Sequence, residues 1–464
     1  MSFSSMEFLA FFFPVTLLGY YIFFFSKTLQ RIWLLLASVI FYASGTLPGL
    51  VIVLILLVFN GILGLVTGSL KEGRGKWLFS IGIICNLLPV VFFKYIYEEG
   101  SLLPIGLSFV MLSCISYLGD VYTKEIKAVK NPIMLGLYLL YFPKLIAGPT
   151  MKFQTFREQL ENRKFVLRRS AVGCCRFVTG LAKKVLLADT LALLADIVFN
   201  YSSMGRETVM VPVIMAWLGL LAFTLQIYFD ISGYSDMAIG LSLMFGIMME
   251  ENVDYPYTAV SVSDFWERFY ISLTKWFRQY VYEPLGGGRK KNMDLMVMNL
   301  FMMWIAIGMW YGIGGKFILW GLWQFLFILA ELFLGYTENN PHTTLMRIYT
   351  ITVIILGWVI FRAQDLYQAG LFYKNMFGAN YNGIWNSMTG ILLKEYWIYL
   401  VAGCFFCTPV AKKANNWLVR KDKKGCVCKA VVTICYPIAL AVVLLLSISY
   451  LMQGMNRPFL YSLY

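Results

Sequence analysis

Apolar residues run through this chain in long blocks separated by short clusters of charge. The blocks lie at roughly 6–25, 32–45, 48–69, 77–97, 101–120, 171–199, 209–229, 293–311, 317–335, 346–362, 393–411 and 429–452. A helix crossing the hydrocarbon core of a bilayer needs about 20 apolar residues, and most of the blocks reach that length. The second and tenth are short, so the pattern predicts about ten to twelve spans. The expected fold is an all-α, polytopic transmembrane bundle, read as a single membrane-embedded domain over 1–464. Its parts are N-terminal helices over 1–125, a core over 131–335 and C-terminal helices over 346–464.

Three stretches break the simple pattern. Residues 131–150 carry three prolines inside an apolar run. Proline removes a backbone donor, and non-helical backbone at membrane depth must be buried in protein or line a wet cavity. A re-entrant segment is expected there. Residues 226–249 place Asp230 and Asp236 in apolar sequence; intramembrane carboxylates usually face a bundle interior or a cavity. Over 262–285, Trp266, Phe269, Leu273, Trp276, Phe277 and Tyr280 recur at helical spacing, with Arg268, Lys275 and Arg278 off that stripe. That periodicity predicts one amphipathic helix at the membrane interface.

Composition agrees with the pattern. Apolar residues make up 59% and charged residues 14%, against about 45–50% and about 25% in soluble domains. The net charge of +14 does not indicate nucleic acid, because the cations sit in short clusters between apolar blocks. Strict alternation of spans puts the clusters at 27–31, 71–76, 124–130, 152–169, 289–291 and 412–429 on one side and Glu98-Glu99 on the other. The positive-inside rule then makes the basic side cytoplasmic and both termini extracytoplasmic, in the plasma membrane. The N-terminal block, lacking a basic start and a small-residue cleavage site, is expected to be a retained helix. The nine cysteines and one histidine offer no metal-binding spacing. Cys404 and Cys407 read as packing residues, Cys426 and Cys428 as reduced loop thiols. Gly286-Gly287-Gly288 before Arg289 reads as a flexible turn rather than a phosphate loop.

Several motifs, taken in order, carry a resemblance. They include Phe142-Pro-Lys-Leu-Ile-Ala-Gly-Pro149, Leu181 to Asp189, Phe229 to Gly240, Ser263 to Gly287, Gly357 to Ala363 and Pro458 to Tyr461. Together they resemble the membrane-bound O-acyltransferases, more narrowly the bacterial branch that modifies cell-envelope polymers. The resemblance implies a helical scaffold with a tunnel. A cytoplasmic acyl thioester, acetyl-CoA or an acyl carrier protein, would be co-substrate, with no bound cofactor or metal. The acceptor would be a hydroxyl of an exported polysaccharide, an envelope polymer or a partner protein. Membrane lipid is the remaining partner expected, and nucleic acid is not one.

In that family a histidine in a Gly-Leu-Trp-His-Gly context is the general base. The stretch here is Gly308-Met-Trp-Tyr311-Gly, so Tyr311 holds that position. Two other frequent histidine positions hold Tyr270 and Gln324, and the single histidine, His342, sits in a polar turn and reads as a loop residue. Imidazole, with a pKa near 6.5, accepts a proton at neutral pH, whereas a phenol near 10 stays protonated. The candidate catalytic residues are Tyr311 and Tyr270, and the candidate tunnel residues are Asp230, Asp236, Asn299, Trp310, Arg268 and Arg278. Three readings stay open: an acyltransferase in which Tyr311 orients the acceptor and a carboxylate such as Asp230 or Asp236 is the base, a conduit or assembly partner on the same scaffold, and a transporter.

Overall fold

The computed structural model describes the chain except residues 72–73, 94–103, 105, 164–165, 204–210, 288–292, 313, 336–342, 411, 414–425, 455–456 and 460–464. Glu98, Glu99, the Gly288–Lys291 run, His342 and the last five residues lie outside the described residues, as do the side chains of Cys426 and Cys428. Among the described residues the regular elements are helical, and the one pairing outside them is an isolated antiparallel bridge between Val253 and Phe269. Seven helices there are long and apolar enough to cross a membrane, with three shorter apolar helices beside them. Phe24, Leu47, Trp77 and Leu445 stand exposed on such helices or at their ends, as lipid-facing side chains do. The chain is a multi-pass, all-helical membrane protein. It divides into two compact units, residues 1–180 with 234–251, and residues 181–233 with 252–464.

The first unit holds α1 (Phe13–Ile22, entered through a π-helical turn at Phe8–Phe12), α2 (Lys27–Ala43), α3 (Leu47–Ser69), α4 (Lys76–Val91) and α5 (Leu107–Tyr122). They are followed by α6 (Pro132–Leu140), α7 (Phe153–Asn162) and α8 (Leu167–Ala182). Buried Asn60 of α3 and Asn86 of α4 exchange amide hydrogen bonds of 2.8 and 2.9 Å, which joins two otherwise apolar helices where no water competes. The proline-rich run is buried throughout residues 134–149. Asn131 caps α6, whose first residue is Pro132, and the helix stops at Tyr141. The freed Phe142 N–H then donates to Ser38 Oγ at 3.2 Å. The Phe142 ring packs within 5.4–5.6 Å of Phe12 and Phe41. Broken backbone at this depth is therefore satisfied by protein.

The second unit continues the chain through a π-helical stretch at Lys183–Ala188 into α9 (Asp189–Ser203) and α10 (Val213–Met244), whose residues from Tyr234 on belong to the first unit. The block at 209–229 was expected to end near Asp230; α10 instead runs on to Met244, so the two carboxylates lie on one continuous helix. Each is met by a cation, which removes the need for a break. Next come α11 (Val262–Arg268), α12 (Ile271–Phe277), a π-helical segment Arg278–Gly287, α13 (Met293–Tyr311) and α14 (Gly315–Phe333). The unit closes with α15 (Thr343–Arg362), α16 (Leu366–Met376), α17 (Ser387–Phe406) and α18 (Cys426–Met452).

The single amphipathic helix expected over 262–285 is not formed. The chain turns between α11 and α12, with Phe269 extended and Tyr270 left-handed at φ 54°. Asn252 enforces the turn: its carbonyl accepts from Ile271 N–H at 2.9 Å and its Oδ1 from Ser272 N–H at 3.0 Å. Periodicity missed this because the aromatic stripe is buried from Trp266 to Phe277, and a buried stripe has the same spacing as an interfacial one.

α13 and α14 touch backbone to backbone. A Cβ at Gly308 would lie 2.5 Å from the Phe317 carbonyl oxygen, and one at Gly321 would lie 2.5 Å from that of Trp304. Gly308→Ala and Gly321→Ala are each expected to destabilise the protein by about 1–3 kcal/mol through overpacking. This is read as a lower thermal-unfolding midpoint in detergent. Gly370→Ala, on α16 with open space around it, serves as the control and is expected to leave the midpoint unchanged or raise it slightly. Equal midpoints for all three would mean that the close crossing does not exist.

Candidate active site

The crossing of α13 and α14 carries Tyr311, the last residue of α13, onto Trp320 of α14, with ring centroids 5.1 Å apart and rings edge to face. α15 adds Phe361, 5.4 Å from Tyr311 and 5.3 Å from Trp320, and Trp358, stacked 6.0 Å from Trp320. α11 adds Trp266, 5.5 Å from Trp320 and 5.3 Å from Trp304. Such pairs prefer tilted or edge-on contacts, and here they form a cage of residues that are each less than a tenth exposed. Gln324 lies one turn beyond Trp320 and accepts a 3.1 Å hydrogen bond from Trp266 Nε1–H. The indole N–H groups of Trp304 and Trp320 have no hydrogen-bond partner among the described residues.

The start of α11 is anchored on the same helix. Buried Glu331 of α14 accepts from the backbone N–H groups of Val262 at 2.6 Å and Ser263 at 3.2 Å. A carboxylate is favoured there because the first N–H groups of a helix have no partner within it. Sequence reasoning passed over Glu331, although a lone acid inside an apolar block is itself the signal.

The other candidates are distributed. Tyr270 is buried at the α11–α12 turn, directly after Phe269, whose ring stands 6.2 Å from Trp358. A left-handed residue other than glycine costs about 1–2 kcal/mol, and strain of this kind concentrates at functional sites. Trp310 is buried and meets Phe277 of α12 at 6.3 Å. Asn299 lies twelve residues before Tyr311, about 18 Å along the helix axis. Its amide nitrogen donates to the Leu285 carbonyl at 2.9 Å, while its Oδ1 is buried without a hydrogen-bond partner among the described residues. Arg268 is held by Asp264 at 2.5 Å. Arg278 is mostly exposed, 4.0 Å from Glu267. The structure thus brings Tyr311 and Gln324 onto one cage and joins Tyr270 to it through its neighbour.

Asp230 belongs to a separate buried cluster. Lys184 of the π-helical stretch lies 2.7 Å from Asp230 and 2.7 Å from Asp189, and its ammonium also reaches the Pro458 carbonyl. One cation thus faces two carboxylates in a site almost closed to solvent. Asp236 lies in the other unit, where Arg176 of α8 holds it at 2.8 Å and also grips Glu251. Lys184 was not among the sequence candidates; its place inside the motif ending at Asp189 was the available signal.

The model of the MBOAT, membrane-bound O-acyltransferase family matches residues 113–368. The chain is 35% identical over 462 residues to a probable alginate O-acetylase AlgI of Pseudomonas aeruginosa, covering 91% of this chain and 86% of that one. It is 32% identical over 428 residues to a peptidoglycan O-acetyltransferase of Helicobacter pylori, covering 82% and 80%. A teichoic acid D-alanyltransferase of Bacillus subtilis is 22% identical over 249 residues, covering 50% and 61%. The chain belongs to the membrane-bound O-acyltransferase family.

Within the acyltransferase match lie the cage, the turn at Tyr270 and the Lys184 cluster's two carboxylates. The cluster's charge count sets a stability order. Lys184→Met leaves two buried carboxylates without their cation and is expected to cost about 3–5 kcal/mol. Asp230→Asn leaves one cation with one carboxylate and is expected to cost much less. Unfolding midpoints and the yield of folded protein in detergent measure the order; an Asp230→Asn protein as unstable as Lys184→Met would contradict it.

Proposed function

We propose that this chain transfers an acetyl group from a cytoplasmic thioester, acetyl-CoA or an acyl carrier protein, to a hydroxyl. The acceptor is an exported polysaccharide or envelope polymer, reached directly or through an acyl-accepting partner. One observation carries the reading: Tyr311 and Gln324, both at positions where the resembling family places histidine, meet on one aromatic cage built from three helices and α11. Similarity over 86% and 80% of the length of two relatives named as O-acetylating enzymes supports it. The chain would sit in the plasma membrane with its basic clusters inside and its termini outside, as the charge pattern favours.

In the reaction the acceptor oxygen attacks the thioester carbonyl carbon, forming the ester C–O bond. The C–S bond breaks, and the thiol leaves with the proton that the hydroxyl loses. Asp230 and Asp236 are already held by Lys184 and Arg176, which makes neither a free base, so the reading gives them structural roles. Tyr311 instead supplies a hydroxyl that donates a hydrogen bond and orients the reactants. The dry cage strengthens that bond, and holding two substrates in register contributes much of the rate without a general base.

A second reading, an acyl conduit without turnover, is favoured by the same residues, because a protonated phenol replaces imidazole. Acetyl transfer by purified protein with an acetyl thioester and an oligosaccharide acceptor separates the two. Measurable turnover is expected for the unaltered protein, falling about 100-fold in Tyr311→Phe. Absence of turnover in the unaltered protein with every thioester donor, together with turnover gained in Tyr311→His, would replace the enzyme reading with the conduit.

A further inference from the structure

The first unit contains a cleft that the acyl-transfer reading does not use. It is a cavity of about 470 Å³ where α1 meets α2, at the start of α8, and a second recess of about 390 Å³ adjoins it. Arg163, Val166, Arg169 and Gly246 line both. Lys27, Arg163 and Arg169 give the cleft three cations, and among the described residues no carboxylate lies within 4.0 Å of any of them. The one acid on its lining, Glu158, sits in the second recess and accepts a 2.9 Å bond from Gln154 of its own helix.

Arg163 is the decisive residue. It is only 7% exposed, yet only neutral groups hold it. Nη1 donates to the Leu160 carbonyl, and Nη2 donates to the Lys27 carbonyl and Gln30 Oε1, each at 3.0 Å. Its Nε finds no hydrogen-bond partner among the described residues. The Tyr20 ring stands 5.7 Å away, and the nearby Arg31 repels it. Burial and that repulsion push the guanidinium's pKa down. A buried cation without a counter-ion is costly, and a guanidinium is matched in geometry to a phosphate group.

The walls are set for a ligand with an apolar part. The Tyr20 hydroxyl is tied to the Phe245 carbonyl at 2.7 Å, and that of Tyr21 to the Met244 carbonyl at 2.6 Å and to Ser170 at 2.9 Å. At the rim Phe24 is 77% exposed and Val166 38% exposed, an apolar lip beside a cationic floor. A free phosphate ion would leave that lip and most of the volume unused.

We propose that this cleft binds the phosphate of an anionic phospholipid, with Arg163 as the buried anchor, Lys27 and Arg169 as the outer cations, and the first acyl carbons against Phe24 and Val166. Basic pockets between membrane helices on the positively charged side are placed to take such headgroups.

Native mass spectrometry of delipidated protein in neutral detergent tests this, titrating phosphatidylglycerol against phosphatidylcholine of the same chains. Phosphatidylglycerol is expected to bind about tenfold more tightly, and Arg163→Gln to remove about that factor, as the loss of one charge-assisted bond does. Should Arg163→Gln fail to fold, the double variant Lys27→Gln/Arg169→Gln, both exposed, is expected to weaken binding by a similar factor at an unchanged unfolding midpoint. Equal affinity for the two lipids overturns the proposal. So does unchanged phosphatidylglycerol binding in the folded variants. Displacement of the lipid by millimolar inorganic phosphate or coenzyme A would show a soluble-phosphate site instead and also overturns it.

Discussion

The close crossing of α13 and α14 is the constraint on which the candidate site depends. Only glycine at 308 and 321 lets each helix lie against the other's carbonyl oxygens. That approach sets Tyr311 against Trp320, and Trp320 is the ring around which Trp266, Trp358 and Phe361 gather. Small residues at a crossing are what a membrane permits, because lipid gives no hydrophobic drive for helices to associate and contact must come from packing. The position of α11 then follows from two polar links to α14, Trp266 to Gln324 and the first turn to Glu331. Polar bonds in this environment have no water to compete with them, so a few of them orient a short helix that hydrophobic packing alone would leave free to slide.

The two aspartates of α10 are each answered by a cation. Asp230 and Asp236 are six residues apart on α10, a spacing that turns them to different faces. Each found its own cation, Lys184 and Arg176. Each carboxylate is already engaged by its cation, and breaking such a buried pair is costly. In the proposed reading it is the cage, with its phenol and with indole N–H groups that have no partner among the described residues, that receives a polar substrate group. Arg163 stands apart from these two aspartates, because the oxygens that surround it carry no charge.

Much of this was legible in the order of residues. The apolar blocks marked the helices, the three prolines marked the broken segment after α6, and the motifs marked the family. Asp230 and Asp236 were visible as misplaced charges, but their partners were not. Lys184 and Arg176 lie inside the apolar block at 171–199, and nothing in their spacing pointed to α10 until the fold brought them there. The stripe from Trp266 to Tyr280 misled because spacing reports which residues share a face, not whether lipid or protein covers it. Asn252, eighteen residues before Tyr270, makes the turn there, and no local propensity announces so distant a contact. Gln324 was found through motif position alone; its bond to Trp266 needed the crossing of two helices.

The central claim is that the cage around Tyr311 supports acyl transfer to an envelope polymer. The most direct measurement is the ester-linked acetyl content of the exported polymers of cells lacking the gene, by mass spectrometry. The content should fall in those cells and be restored by the unaltered protein. Tyr311→Ala, present in the membrane at the same level, should leave it low, since removing the ring opens the cage beside Trp320 and Phe361. Full restoration by Tyr311→Ala would contradict the account.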